Sequence, residues 1–500
     1  MGERHSWLWE PTFQRAIKVA ATDERLTSDG GVLLLREADH RLGLCESLAG
    51  RLYDPRCQDS IRYTLTELLR ERIYALGLGY AAQDDLDRLA HDPAFRLACW
   101  DRKDKDGAIL DERLGSQPTQ SRLINILTRD AQNLEGLRDS LADWSQRWLC
   151  STGPDRRAAS LTIDVDSFLI PCYGRQQGVA YNGHYRDQGY HPLVASFSVG
   201  GQYDSAKAGQ RLGNGFLHAI LRAGNVHTAN GSLRFLRNVV AKAKTMARSF
   251  DVRLDAGFID GPTMDYLSDE NVRFLGRLKS NPALDRLAEP HLKRPVGRPP
   301  REGYEEIIDL GPYQAGPWRH AQRLILVIVD RPDPKSGQLQ FEPDYFFLVT
   351  NWRVDQRTGL QVLEHYRGRG TFEDRLGEFR AAVRPSLSSP TFHENEALFL
   401  LSLAAYNLAS MLREECETAR GGCWDLQRFQ NSVLKAGGKV VKHARRIVLV
   451  VARAVAPFWQ TLRDQLARWT VPERWQPCGP THRAWIPPPR HAHLHLVLRD

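Results

Sequence analysis

The chain has no apolar run long enough to span a bilayer. Its longest, Leu398 to Leu412 and Ile447 to Ala456, fall short of the roughly 20 residues a spanning helix needs, and Arg453 interrupts the second. The N-terminus, Met1 to Trp7, lacks the basic-then-apolar pattern of a secretory signal. The eight cysteines, at 45, 57, 99, 150, 172, 416, 423 and 478, contain no C-x2-C pair and no regular framework. That spacing excludes a disulfide scaffold or a cysteine zinc site and reads as reduced thiols. A soluble cytoplasmic protein with no membrane partner is expected.

What is present points to a polyanion. There are 68 basic against 60 acidic residues, a net charge of +8 and a pI near 9.1. Such a balance favours nucleic acid as partner, although charge alone is a weak signal. Five hundred residues are ample for a large core and suggest about two to four domains.

Residues 1–155 read mainly as helices, for instance Tyr63 to Leu76 with its basic polar side. Ser116 to Leu123 reads as a loop feeding a helix; its start suits either a phosphate or a plain N-cap with proline in the first turn. At Leu161 to Ile170 the pattern changes to a strand. Period-two alternation puts Asp164 and Asp166 on one face and Ile163 and Val165 on the other. Aspartate is a poor strand former, so two of them in mid-strand need a cause: an exposed face, or a metal-binding carboxylate.

A turn and two strands follow, from Gly174 to Val199, with Gln176, Gln177, Tyr181, Asn182, His184 and Tyr185 either touching DNA or forming a solvated hairpin. Ser232 to Phe250 reads as a basic helix leading to a strand, Val252 to Phe258, that carries Asp255. A short helix from Met264 and a strand over Val272 to Lys279 come next. Strands are expected again between Tyr304 and Trp352, an all-round apolar helix over Asn395 to Arg413, and a basic helical segment from Gly437 to Arg446. The alternating histidines His491, His493 and His495 near the end do not close a tetrahedral zinc site, and a tail is the simpler reading.

The stretch Tyr366 to Arg380 is the most informative. At about 100° per residue, Tyr366, Arg369, Glu373 and Arg380 share an arc of about 60° on a helix. One acid is thus set in a stripe of phenol and guanidinium, as suits a carboxylate that meets metal and phosphate together. An ordinary surface helix with an i,i+4 Arg–Glu pair has the same pattern. Gly368 and Gly370 count against one continuous helix, and a fresh start at Thr371, capped with Asp374, is the other possibility.

The spacing Tyr366-x2-Arg369-x3-Glu373-x6-Arg380 resembles the Tyr-Arg-Glu-Lys signature of bacterial insertion-sequence transposases of the DDE type, with Arg380 in the place of the lysine. Asp164-x-Asp166 followed by Gly174-x-Gln176-x-Gly178 and Tyr181-Asn182-Gly183 is similar to one transposase subgroup, and so are Arg253-x-Asp255-x-Gly257-Phe258 and Arg277-Leu278-Lys279-x-Asn281. The Gly297-Arg298-Pro299 core between Lys293 and Arg301 resembles a minor-groove hook; a basic proline-rich linker is the alternative.

The resemblance implies an α/β fold: a ribonuclease H-like core with a mixed five-stranded sheet, interrupted by a β-rich insertion. It implies 1–155 as a helical DNA-binding region, 156–290 and 351–415 as the two parts of the core, 291–350 as the insertion, and 416–500 as a helical region and tail. It further implies catalytic and metal-binding Asp166, Asp255 and Glu373, with Asp164 as the alternative or supporting first acid. Two Mg²⁺ or Mn²⁺ ions would be the cofactors. Tyr366, Arg369, Arg380, Arg298 and Lys279 are the implied DNA contacts. The implied partners are double-stranded terminal repeats and target DNA, bound by a homodimer associated with the nucleoid. Such an enzyme cleaves transposon ends and joins them to target. A nuclease that cuts without joining, or a non-catalytic DNA-binding regulator, are the alternatives.

Overall fold

The computed structural model describes residues 7–14, 16–101, 110–151, 157–200, 213–293, 303–331, 343–422, 424–443 and 446–470. The segment with Arg298 and the histidine-rich end lie outside the described residues.

The largest sheet is built from β1 (Ala158–Ser167), β2 (Leu193–Val199), β3 (Asn214–Ile220), β4 (Ala247–Leu254), β5 (Arg273–Leu278), β6 (Tyr304–Tyr313), β7 (Gln322–Asp330) and β8 (Asp344–Thr350). Its order is β6-β7-β8-β5-β4-β1-β2-β3. Strands β1, β2 and β3 form an antiparallel meander. Two crossover helices, α1 (Ser232–Met246) and α2 (Gly261–Asp269), then return the chain so that β4 runs parallel to β1 and β5 parallel to β4. The remaining strands add antiparallel to the β5 edge, beginning with β8. The sheet has eight strands, because the three strands between Tyr304 and Thr350 extend it instead of forming a sheet of their own.

Alternation along β1 sorts the sheet's two faces. Ile163 and Val165 pack with Phe235, Leu236 and Val239 of α1. The opposite face, which carries Asp164 and Asp166, is covered by α3 (Gly359–Arg367), α4 (Gly370–Ala382) and α5 (Phe392–Arg420). Helix α5 is buried from Asn395 to Cys416, as its all-round apolar sequence predicts, and joins the N-terminal helices in the largest core. Phe379 of α4 meets Phe399 and Tyr406 of α5 edge-on, at 6.3 and 5.9 Å between ring centroids. Among the described residues no helix is long and apolar enough to cross a membrane.

Three expectations are corrected. The basic helix ends at Met246, because Ala247 to Phe250 already pair with Ala158 to Leu161 of β1. The segment from Gly437 is a hairpin, Gly438–His443 with Arg446–Val451, and Arg25–Thr27 adds a third strand. Its β-branched run (Val440, Val441, Ile447, Val448, Val450, Val451) outweighs the basic residues that suggested a helix. Helix α5 also runs straight through the boundary expected at 415/416.

Candidate active site

The site forms where three elements end. Register pairs Leu254 of β4 with Val165 of β1, so Asp255 follows beside Asp166. The third acid, Glu373, sits in the first turn of α4. Helices α3 and α4 are not one rod. Gly368 and Arg369 stand between them with helical backbone angles, φ −59° ψ −12° and φ −63° ψ −26°. Thr371 N–H and Phe372 N–H donate to the carbonyls of Gly368 and Arg369, and Thr371 Oγ1 donates to the former at 2.9 Å. Thr371 is not the cap of a new helix, for Arg369 holds that position without a side-chain cap.

Arg369 joins all three acids. Its Nη2 donates to Asp166 Oδ2, while Nη1 lies 3.9 Å from Asp255 Oδ1 and 3.5 Å from Glu373 Oε1. Arg369 is 11% exposed at its side chain, against 44% for Asp255 and 69% for Glu373. Burial lowers the guanidinium's basicity, but Asp166 and then Asp255 outweigh it and hold its pKa above the ordinary value. Asp166 is the desolvated acid. Burial pushes its pKa up to about 6, against the pull of Arg369 and of the Ser167 N–H that donates to Oδ1 at 2.7 Å; Asp255 and Glu373 add to the rise. A carboxylate so removed from water is a ready seat for a cation.

The acids open on a cavity of about 700 Å³ that Lys279, Tyr185, His191 and His227 also line. Another wall is formed by residues 181–185, which include the end of strand Ala180–Asn182 of a small sheet with Asp187–Tyr190 and Ile170–Pro171. Asn182 Oδ1 accepts from the N–H groups of His184 and Tyr185 (3.1 and 3.3 Å), and Tyr185 Oη donates to Ser167 O at 3.0 Å. Loop 223–228 presses against this wall. A Cβ at Gly224 would lie 2.2 Å from Gly189 O and 2.3 Å from Ala180 O, so the approach requires glycine. Buried Arg222 fixes the loop, donating to the carbonyls of His191, Thr228 and Asn230 at 3.0 Å each. A second cavity, of about 540 Å³ and lined by Arg273, Arg323 and Asn351, contains none of the three acids.

The residues singled out in the sequence divide. Asp166, Asp255, Glu373, Arg369 and Lys279 share the cavity. Tyr366 is half-buried beside them, its phenol pKa raised by burial and then by Asp255. Arg380 does not share it: its guanidinium lies over the Phe168 ring, 4.9 Å from the centroid, and borders a different pocket with Arg384. Gln176 and Gln177 bond the segment 387–392 instead of facing the acids. Asp164 does not line the cavity. It is fully buried and takes both oxygens to Arg253, at 2.7 Å each to Nε and Nη2. The sequence reading quoted Arg253 only as part of a motif and gave no role to Arg253, His191 or Arg222. Arg253 alone left a signal, being two residues before Asp255 and so on the same face.

Three carboxylates are the hard-oxygen donor set that a divalent ion of the Mg²⁺ type takes. As arranged, no three Asp, Glu, His or Cys side chains among the described residues stand ready to share one ion. The guanidinium of Arg369 takes that place. The donors fit in kind, provided that Arg369 withdraws.

The family described as Transposase DDE domain group 1 matches residues 9–470, and the chain belongs to it. A solved structure titled "Cryo-EM structure of piggyBac transposase synaptic complex with hairpin DNA" is similar at 14% identity and a TM-score of 0.43, over 91% of this chain and 89% of that one. None of the curated proteins matches.

Proposed function

We propose that the protein is a DNA transposase of the DDE type, with Asp166, Asp255 and Glu373 as its catalytic acids. It would cleave DNA at terminal inverted repeats and join the freed ends to target DNA. One observation carries the reading: acids from β1, β4 and α4, far apart in sequence, meet around a single guanidinium in one cleft. The ribonuclease H-like assignment is supported by five adjacent strands, β5-β4-β1-β2-β3, whose first three members in the chain form a meander and whose next two return in parallel. The strands over 303–350 are then the insertion, and residues up to 155 a helical DNA-binding region. A bacterial insertion-sequence origin with a Tyr-Arg-Glu-Lys signature, and a homodimer on paired ends, belong to the same proposal.

Asp166, Asp255 and Glu373 would hold two Mg²⁺ or Mn²⁺ ions. Bound there, such ions activate a water or a 3′-hydroxyl and stabilise the leaving oxygen of an in-line displacement at phosphorus. The chain's own groups bind and orient. Arg369 turns from the acids to a DNA phosphate, for which its planar fork is suited. Lys279 and Tyr366 hold the backbone beside the acids. Arg380, over the Phe168 ring, would meet the DNA backbone beyond the edge of the cleft.

Labelled terminal-repeat DNA with Mg²⁺ tests the proposal. Cleavage plus joining supports it, cleavage alone identifies a nuclease, and binding alone a regulator. Asp255→Asn should abolish both reactions while DNA is still retained; undiminished cleavage by that variant removes Asp255 from the catalytic set.

A further inference from the structure

We infer that a buried set of Asp164, Arg253, His365 and Asp251 is a positioning device: it fixes the end of α3, and so the start of α4 with the third acid, against the two strands that lead to the others; this rests on the transposase reading above. Each acid-bearing strand repeats one design. The site acid stands at the strand end (Asp166, Asp255), and two residues earlier, on the same face, stands a charged partner (Asp164, Arg253). These partners pair across the strands with both side chains 1% exposed, directly beneath the acids.

Arg253 has one nitrogen left after donating two hydrogen bonds to Asp164. That nitrogen, Nη1, donates to His365 O at 2.8 Å. The acceptor is in the last turn of α3, where carbonyls lack helical partners and a positive group suits the helix end. The side chain of His365 makes a second tie: its Nε2 lies 2.6 Å from Asp251 Oδ2 on β4, and Asp251 Oδ1 accepts from Thr162 Oγ1 of β1 at 3.3 Å. Trp352 closes the set edge-on, with ring centroids 5.2 Å apart. The last turn of α3 is therefore pinned to β1 and β4 at two points, one turn before Arg369 and two before Glu373. Replacing a buried ion pair by apolar side chains of like volume is often neutral for stability, so stability alone does not account for it. Geometry does: Glu373 reaches the other acids only if α3 stops at this height.

The test uses the full chain and two readouts, single-turnover cleavage of labelled terminal-repeat DNA and Mn²⁺ binding followed by the signal of the free ion. The apolar double variant D164L/R253M should melt cooperatively and retain DNA within about twofold of wild type. Its cleavage rate and Mn²⁺ affinity should each fall by about 10- to 100-fold, the range seen when groups supporting metal ligands are removed. Asp251→Leu should behave likewise, whereas Asp251→Asn, which can still accept from His365, should recover most of both. A folded double variant with wild-type rate and Mn²⁺ affinity overturns the inference. So does failure of both D164L/R253M and Asp251→Leu to fold, since a positioning set must be dispensable for the fold. Wild-type protein that neither cleaves nor binds Mn²⁺ differently from Asp255→Asn refutes the transposase reading itself, which is a separate result.

Discussion

Removing Arg369 should tighten metal binding in the absence of DNA, the reverse of what losing a supporting residue does. In the free protein the guanidinium bonds Asp166 and stands within 3.9 Å of the other two acids. A hydrogen bond between charged groups contributes about 1.5–3 kcal/mol. The contact to Glu373 adds little, because that carboxylate is 69% exposed and screened by water. A cation entering the acids must therefore first undo an interaction of about 2 kcal/mol, or about a 30-fold handicap at roughly 1.4 kcal/mol per tenfold. Arg369→Gln should bind Mn²⁺ about 10- to 100-fold more tightly than wild type, measured by titration calorimetry with Asp255→Asn as the control. The measurement belongs at pH 8, because without Arg369 the pKa of Asp166 rises further above its value of about 6. DNA should tighten Mn²⁺ binding to wild type by a similar factor, since a phosphate draws Arg369 away, and should do so far less in the variant. Equal or weaker Mn²⁺ binding by Arg369→Gln would refute the reasoning.

Lys279→Ala should weaken DNA binding evenly across sequences and reduce the salt dependence of log K by about one, while Arg380→Ala should leave Mn²⁺ affinity untouched; filter binding at several salt concentrations checks both. A pH effect is expected far from the site, at Glu71. Burial pushes its pKa up to about 8, against the Gly115 N–H at 2.9 Å and the Gln120 amide at 2.6 Å. A carboxyl whose folded pKa exceeds its unfolded one binds its proton more tightly when folded, so stability falls as pH rises from about 4.3 to about 8. Glu71→Gln should flatten that fall, and melting curves of both proteins between pH 5 and pH 8 would decide. Parallel curves would show that Glu71 is ionised in the fold.

The sequence made the acids legible for a local reason. Asp166 stands near the end of β1 and Asp255 directly after β4, each preceded by an apolar residue, and an aspartate in or beside a strand is unfavourable enough to draw notice. The role of Asp164 was not legible. Its partner Arg253 is 89 residues away in the chain, and only the parallel register of β1 and β4 brings them together. The helix carrying Tyr366 to Arg380 was half legible. Its two glycines marked the break between α3 and α4, but periodicity gave no sign that the Arg380 guanidinium would lie over the Phe168 ring. The C-terminal hairpin was hidden by its basic residues, although its β-branched alternation was the better guide.

Charge balance explains why an arginine, and not a neutral residue, stands at 369. The pair Asp164–Arg253 cancels itself below the site; counting only the groups within 4 Å of Arg369 and leaving Lys279 to the DNA backbone, Asp166, Asp255 and Glu373 stand against one guanidinium, a formal excess of about two negative charges. One divalent ion neutralises that excess. A second would leave about two positive charges in a cleft whose first acid is largely desolvated, and such a charge is costly to hold without an anion. DNA changes the sum twice, by taking Arg369 and by supplying the phosphate. The free protein should therefore bind about one Mn²⁺ per chain at pH 8 and the DNA complex about two. Two ions on the free protein at low concentration would show that the acids are not balanced by Arg369. One ion on the DNA complex would show that the phosphate does not complete the site.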